Sequence, residues 1–158
     1  MKSFKDIFHT DFSVVNSAHA RVNLIGEHTD YTGGYVLPSL LNFKTTIQIS
    51  KNENKKYQVY SEHFNEQINF TDFIKSKNNK WIDYIKGSLF VFYDENKNIP
   101  NTHLNIYISS TIPIGRGISS SSALCVAILK SLNSFFNTEY TEKHIAILAQ
   151  KVERNYIG

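Results

Sequence analysis

The hydrophobic period of this chain switches at Trp81 from two to 3.6, which confines it to folds that lay down strands first and pack helices on them afterwards. Upstream, Phe43, Thr45, Ile47 and Ile49 alternate with polar positions, as a half-buried strand requires. Val14-Val15, Arg21 to Ile25, Tyr57 to Tyr60 and Gln67 to Phe70 read as further strands, with a Gly- and Asp-containing turn over Asp30 to Gly34. From Trp81 onward, Tyr84, Ile85, Ser88, Leu89 and Phe92 share one helical face, and Asn98-Ile99-Pro100-Asn101 closes that element. Leu104, Ile106 and Ile108 alternate as one more strand. Two helices are predicted after it, from about Ser119 to Phe136 and from Thr141 to the end, with Thr141 as N-cap and Glu142 in the first turn. The expected class is α+β, a mixed sheet with helices on one face.

Composition removes several function classes. The chain has 158 residues, 41% hydrophobic and 20% charged, with seven Gly and three Pro, so it is neither disordered nor fibrous. Its length fits one domain, or a large piece of a bigger one. No apolar run approaches the roughly 18 residues that span a bilayer. Met1-Lys2-Ser3-Phe4-Lys5-Asp6 is followed by no apolar h-region, so a cytoplasmic, non-membrane protein is expected. Without secretion, the acceptor-like Asn69-Phe70-Thr71 carries no meaning. One cysteine, Cys125, excludes an internal disulfide framework and a Cys-based zinc site. The net charge of +3 is scattered, and only Arg21, Arg116 and Arg154 are arginines, which argues against nucleic acid as a partner. The Lys51–Lys56 run reads as a solvated hairpin turn and Lys75–Lys80 as a loop. His63, His103 and His144 stand singly and read as structural or exposed.

Two segments carry chemistry. Ser109 to Ala123, containing Pro113-Ile114-Gly115-Arg116-Gly117-Ile118-Ser119-Ser120-Ser121-Ser122, lies between a predicted strand and a predicted helix. Small residues allow close backbone approach, and a helix N-terminus offers free N–H groups and a positive dipole end to a phosphate. Serine hydroxyls there can donate to phosphate oxygens or ligate Mg²⁺, a hard cation. A serine-capped helix would account for one Ser, but not four. The segment lacks the Gly-Lys-Ser/Thr of a Walker A loop, and Ser120 stands where a dinucleotide fingerprint needs Gly. The second segment, Ala20 to Gly34, crowds Arg21, Asn23, Glu27, His28 and Asp30 between apolar strand residues. Its carboxylates suit the hydroxyls of a polyhydroxylated ligand; the plainer alternative is an ordinary polar surface turn.

Arg21 to Tyr31, reading Arg-Val-Asn-Leu-Ile-Gly-Glu-His-Thr-Asp-Tyr, resembles the signature of the galactokinases within the GHMP sugar-kinase superfamily. Pro113 to Ala123 is similar to the superfamily's second motif, Pro-x-Gly-x-Gly-Leu-Ser-Ser-Ser-Ala. Trp81 to Gly87 and Gln150 to Gly158 resemble helices of the same family, so the likeness spans nearly the whole chain. It implies a ribosomal protein S5 domain 2-like α+β fold, with residues 1–158 as an incomplete N-terminal domain and a C-terminal domain absent. The implied reaction is ATP-dependent phosphorylation of D-galactose to galactose 1-phosphate.

Under that resemblance, Glu27, His28, Thr29 and Asp30 would line the sugar site. Gly115, Arg116, Gly117, Ile118, Ser119, Ser120 and Ser121 would wrap the ATP phosphates. Ser121 and Glu153 would hold Mg²⁺, and Arg21 would stabilise the transferring phosphoryl group. The catalytic Asp segment of the family falls beyond Gly158, so residues 1–158 alone are expected to be inactive and to leave apolar helix faces uncovered. The chain departs from the family at Ala18-His19-Ala20, where Ala-Pro-Gly is usual, at Ile118 for Leu, and at Cys125, where Glu is frequent. Two alternatives stay open: a related sugar kinase acting on N-acetylgalactosamine, arabinose or a uronic acid, and a non-catalytic galactose- and ATP-binding regulator.

Overall fold

A computed structural model describes residues 1–26, 32–76, 81–113 and 118–158. In chain order the elements are α1 (Phe4–Phe8), β1 (Val14–Ile25), β2 (Leu37–Lys51), β3 (Tyr57–Ser61), β4 (Glu66–Phe70), α2 (Ile82–Glu95), β5 (Leu104–Ser110), α3 (Ser120–Phe136) and α4 (Glu142–Lys151), followed by a π-helix at Val152–Ile157. The five strands form one mixed sheet in the order β1-β2-β5-β3-β4. β5 runs antiparallel to β2, pairing Ile47 with Ile108 and Ile49 with Ile106, and parallel to β3, pairing Val59 with Ile106.

That order corrects the hairpin expected at Lys51–Lys56, because β2 and β3 are not neighbours. The local turn chemistry is present: Asn52 donates from its side chain to the Lys56 carbonyl (2.8 Å) and accepts from the Asn54 N–H (2.8 Å). Yet β5 is apolar at alternate positions and buried from Leu104 to Ile108, so it occupies the gap between β2 and β3. Five residues easily bridge the resulting two strand spacings, roughly 9–10 Å.

One sheet face presents Ala18, Ala20, Ile47, Ile49, Val59, Leu104 and Ile106 to Ile85, Leu89 and Phe92 of α2, Ile128 and Leu132 of α3 and Leu148 of α4. Helices on one face is therefore correct for α2, α3 and α4, but α1 sits on the other. There Phe4 packs with Tyr60 and Tyr107, and the Tyr107 hydroxyl donates to the Lys2 carbonyl (2.6 Å). Five residues are too few for a readable helical period or for independent stability. A capping box between Ser3 and Asp6 and the aromatic contacts hold α1 instead. The terminal helix also differs from expectation. It starts as read, with Thr141 Oγ1 accepting from the His144 N–H (3.2 Å), but gives way to π geometry at Val152.

Large exposed apolar side chains concentrate on the β1–β2 ribbon rather than on helix faces. Leu24, Ile25, Leu37 and Leu40 are between 52% and 71% exposed, whereas α2 and α4 each show one such residue, Phe90 and Ile147. Among the described residues no helix is long and apolar enough to cross a membrane.

Ile106 is fully buried in the middle of β5. Ile106→Ala is expected to cost about 2–5 kcal/mol through lost contacts and the cavity left behind. The check is the urea midpoint; a shift equivalent to less than about 1 kcal/mol would show that β5 is not the packed centre.

Candidate active site

The hydroxyl run begins where the chain enters α3. Ser119 occupies the N-cap position at φ 58°, left-handed backbone that is rare outside Gly, and its side chain makes no capping hydrogen bond. The first-turn N–H groups of α3 are thus not taken by a side-chain cap. Successive helical residues project about 100° apart, so Ser120, Ser121 and Ser122 fan out in different directions from one turn.

Two of them converge on one carboxylate. Ser121 Oγ donates to Glu153 Oε1 (2.9 Å), and Ser122 Oγ lies 3.1 Å from Oε1 and 3.2 Å from Oε2. Glu153 stands in the π-helix, whose wide turn is closed by the Gly158 N–H donating to the Glu153 carbonyl (3.0 Å). Single π turns inside helical runs occur often at functional sites. This one is seated by Gly87 of α2. A Cβ there would lie 2.7 Å from Tyr156 Cδ1 and 3.0 Å from Val152 Cγ1, so Gly is what lets these two side chains seat this closely on α2. The Tyr156 hydroxyl donates to the Phe73 carbonyl, and Lys75 Nζ to that of Ile157, fastening the far end.

Beneath the carboxylate, burial foremost, and then the Glu153 charge, push the Cys125 thiol up to about 12, against a partial offset from a Ser88 hydrogen bond. The Tyr84 phenol is raised by burial first and then by its acidic neighbours, Glu153 and Asp83 among them, while a hydrogen bond with Ser121 lowers it. Both groups therefore stay neutral beside Glu153 at ordinary pH.

The first turn of α3 separates two hollows of about 290 Å³ each. One is lined by Phe64, Trp81, Tyr84, Ser120, Ser121 and Leu124. Phe64 and Trp81 stack there at 5.8 Å, and Trp81 Nε1–H donates to Glu66 (3.0 Å). The other gathers His19, Arg21, Ser119, Ser122 and Lys130. Its β1 wall carries a register shift between His19 and Arg21, and His19 Nδ1 meets the Leu41 carbonyl at 3.0 Å across it. A carbonyl only accepts, so the ring donates from Nδ1. A larger hollow of about 600 Å³ lies on the α1 side of the sheet and includes none of the expected site residues.

Of the residues expected from the sequence, Ser121 and Glu153 are in direct contact, Arg21 and Ser119 share one hollow, and Ser120 and Ser121 share the other. Ile118 precedes α3, packs against the main core and lines neither hollow. Glu27, His28, Thr29, Asp30, Gly115, Arg116 and Gly117 lie outside the described residues. Sequence reasoning missed the Ser122 contact to Glu153, because counting hydroxyls does not say which reach an element 31 residues away. It also placed Trp81 and Tyr84 on one helical face, and both do pack against the core. Their i, i+3 spacing was the signal, but it does not distinguish a buried ring from one half-buried in the wall of a hollow. Of the single histidines, His103 packs on Tyr57 (5.0 Å) and His144 stacks on Tyr140 (4.3 Å), whereas His63 lies against Phe64 (4.9 Å) in the lining of the Trp81 hollow.

The described residues hold no group of three or more His, Cys, Asp or Glu able to bind a metal by themselves. One carboxylate with serine hydroxyls, all oxygen, does suit Mg²⁺, which takes one or two carboxylates and completes its sphere with water and substrate phosphates.

A model of the galactokinase galactose-binding signature matches residues 2–51, and one of the GHMP kinase N-terminal domain matches residues 83–158. The chain belongs to the GHMP kinase family. Within it, this galactokinase-like chain is 44% identical to the galactokinase of Pyrococcus furiosus over 87% of its own length and 38% of the relative's. It is 35% identical to the galactokinase of Lacticaseibacillus casei over 99% of its length and 41% of the relative's. The crystal structure of Lactococcus lactis galactokinase complexed with galactose superposes with a TM-score of 0.86 at 33% identity, covering 98% of this chain and 41% of that one. A mevalonate kinase from Methanococcus jannaschii, 24% identical, shares the fold with a TM-score of 0.80, over 89% of this chain and 46% of its own. The chain thus spans about two fifths of the length of the galactokinases it matches.

Two outcomes follow from the packing around Gly87 and Cys125. Gly87→Ala is expected to destabilise the protein by about 1–3 kcal/mol through overpacking, outweighing the roughly 1 kcal/mol that Ala returns in an open helix. A thermal midpoint at or above that of the parent would refute the close approach. For Cys125, the unfolded chain releases the thiol proton near 9 and the folded chain keeps it up to about 12. Cys125 therefore removes stability as pH rises through that window. Cys125→Ala should flatten part of the fall in urea midpoint, and an equally steep fall in the variant would contradict this.

Proposed function

We propose that this chain is the nucleotide- and sugar-binding portion of a galactokinase, which transfers the γ-phosphoryl group of ATP to the anomeric hydroxyl of D-galactose. The observation that carries the reading is the convergence of Ser121 and Glu153 at an uncapped helix N-terminus, beside an aromatic hollow, in a chain whose residues 2–51 match a galactose-binding signature.

In this reading the hollow of Trp81, Phe64 and Tyr84 takes the ATP base. The phosphates run from it along Gly115, Arg116, Gly117, Ile118, Ser119, Ser120 and Ser121, where amide and hydroxyl donors meet the negative oxygens. Ser121 Oγ and the Glu153 carboxylate hold Mg²⁺. When bound, that ion neutralises charge on the transferring phosphates. Arg21, in the hollow on the other side of the α3 first turn, supplies a fixed positive charge where the transition state is most negative. Glu27 and Asp30 accept from sugar hydroxyls, with His28 and Thr29 completing their contacts. The resemblance to the galactokinases implies that the general base is an Asp outside residues 1–158.

The test is galactose-dependent ADP formation by the full-length gene product. Turnover is expected with galactose in preference to N-acetylgalactosamine, arabinose and uronic acids. Glu153→Gln or Arg21→Ala should each lower kcat by about 10²–10³-fold. Residues 1–158 alone should show negligible turnover. Preferred turnover of another sugar would reassign the substrate, and tight galactose and ATP binding without turnover would make the protein a regulator.

A further inference from the structure

Glu153 has no Lys, Arg or His ion-pair partner among the described residues. Its recorded side-chain donors are the hydroxyls of Ser121 and Ser122. The two serines are not equivalent. Ser121 reaches Oε1 alone, at 2.9 Å, whereas Ser122 stands almost midway between the oxygens, at 3.1 Å and 3.2 Å. Each hydroxyl carries one proton and serves one oxygen at a time. If Ser121 Oγ and Glu153 Oε1 face a cation, the Ser121 proton must turn away, and that hydrogen bond to Oε1 is given up. Ser122 can then donate to Oε2 with a displacement of about a tenth of an ångström, the difference between its two distances.

We propose that Ser122 is a positioning residue for the cation-holding carboxylate: it keeps Glu153 Oε2 hydrogen-bonded and so presents Oε1, together with Ser121 Oγ, to a divalent cation. The proposal rests on the reading of Ser121 and Glu153 as the cation ligands. It assigns a task to the fourth hydroxyl of the run, which a helix cap and a phosphate loop both leave without one. Aligned on Pro113, the motif that this segment resembles has Ala at position 122, so Ala is compatible with the fold and Ser122 is an addition.

The experiment measures Mn²⁺ binding to the full-length protein with ADP present, by the loss of the free-ion electron paramagnetic resonance signal, and needs no turnover. Ser122→Ala is expected to weaken Mn²⁺ affinity about tenfold, the usual cost of removing a group that orients a metal ligand, and Ser122→Thr, which keeps the hydroxyl, should restore most of it. Ser121→Ala and Glu153→Gln should weaken it further. Thermal midpoints of the metal-free variants should match the parent, separating a positioning role from a folding one. Unchanged or tighter affinity in Ser122→Ala, with loss in Ser121→Ala and Glu153→Gln, overturns the role of Ser122 and leaves the cation site standing. Failure of Ser122→Thr to rescue also overturns it. Unchanged affinity in Glu153→Gln overturns both the role and the site.

Discussion

Everything in this molecule is hung on β5. It joins the antiparallel β1–β2 pair to the β3–β4 pair, running antiparallel to β2 and parallel to β3, and it is buried through Leu104–Ile108. Its exit also fixes where the site begins. The Thr111 N–H donates to the Lys44 carbonyl (3.0 Å), and the Thr45 and Ser110 hydroxyls meet at 3.0 Å, so the chain leaves the sheet tied to β2. α3 then returns across β1 and β2 with Ala123, Ala127 and Ile128 buried against them. The N-terminus of α3 consequently comes to rest near Arg21 without any direct bond having to place it.

The site is polar chemistry set on apolar supports. Small residues do the spacing: Gly87 admits the π-helix, Ala18 and Ala20 admit α3, and Ser88 and Cys125 fill the floor under Glu153. Were any of these larger, the carboxylate and the hydroxyls would be held apart, whatever their own identities. A neutral floor matters as well. Because the thiol and the Tyr84 phenol keep their protons, neither adds a negative charge of its own beside the Glu153 carboxylate.

The fold class was legible because it depends on period, and period is local: Ile47 and Ile49, or Ile85, Leu89 and Phe92, declare their element within a dozen residues. Pairing is not local. Nothing between Lys51 and Tyr57 reveals that a strand beginning at Leu104 will take the place beside β2. The site divides in the same way. Ser121 and Glu153 were nameable from motif resemblance, but the contact of Ser122 depends on helix rotation and on the π turn, neither of which has a sequence signature of its own. α1 escaped notice because its stability comes from Tyr60 and Tyr107, more than fifty residues downstream.

The π-helix has a consequence for how this region can vary. Its turn is closed by a bond spanning five residues, one more than in an α-helix. Removing one residue between Val152 and Ile157 would let the backbone close as ordinary α-helix with its hydrogen bonds intact, yet would swing everything after the deletion by about 100°. Glu153 and Tyr156 could then no longer face Ser121 and Gly87 together. Length here is as constrained as identity: substitutions on the outer side of this turn, at Arg154 and Asn155, are free to accumulate, while insertions and deletions are not.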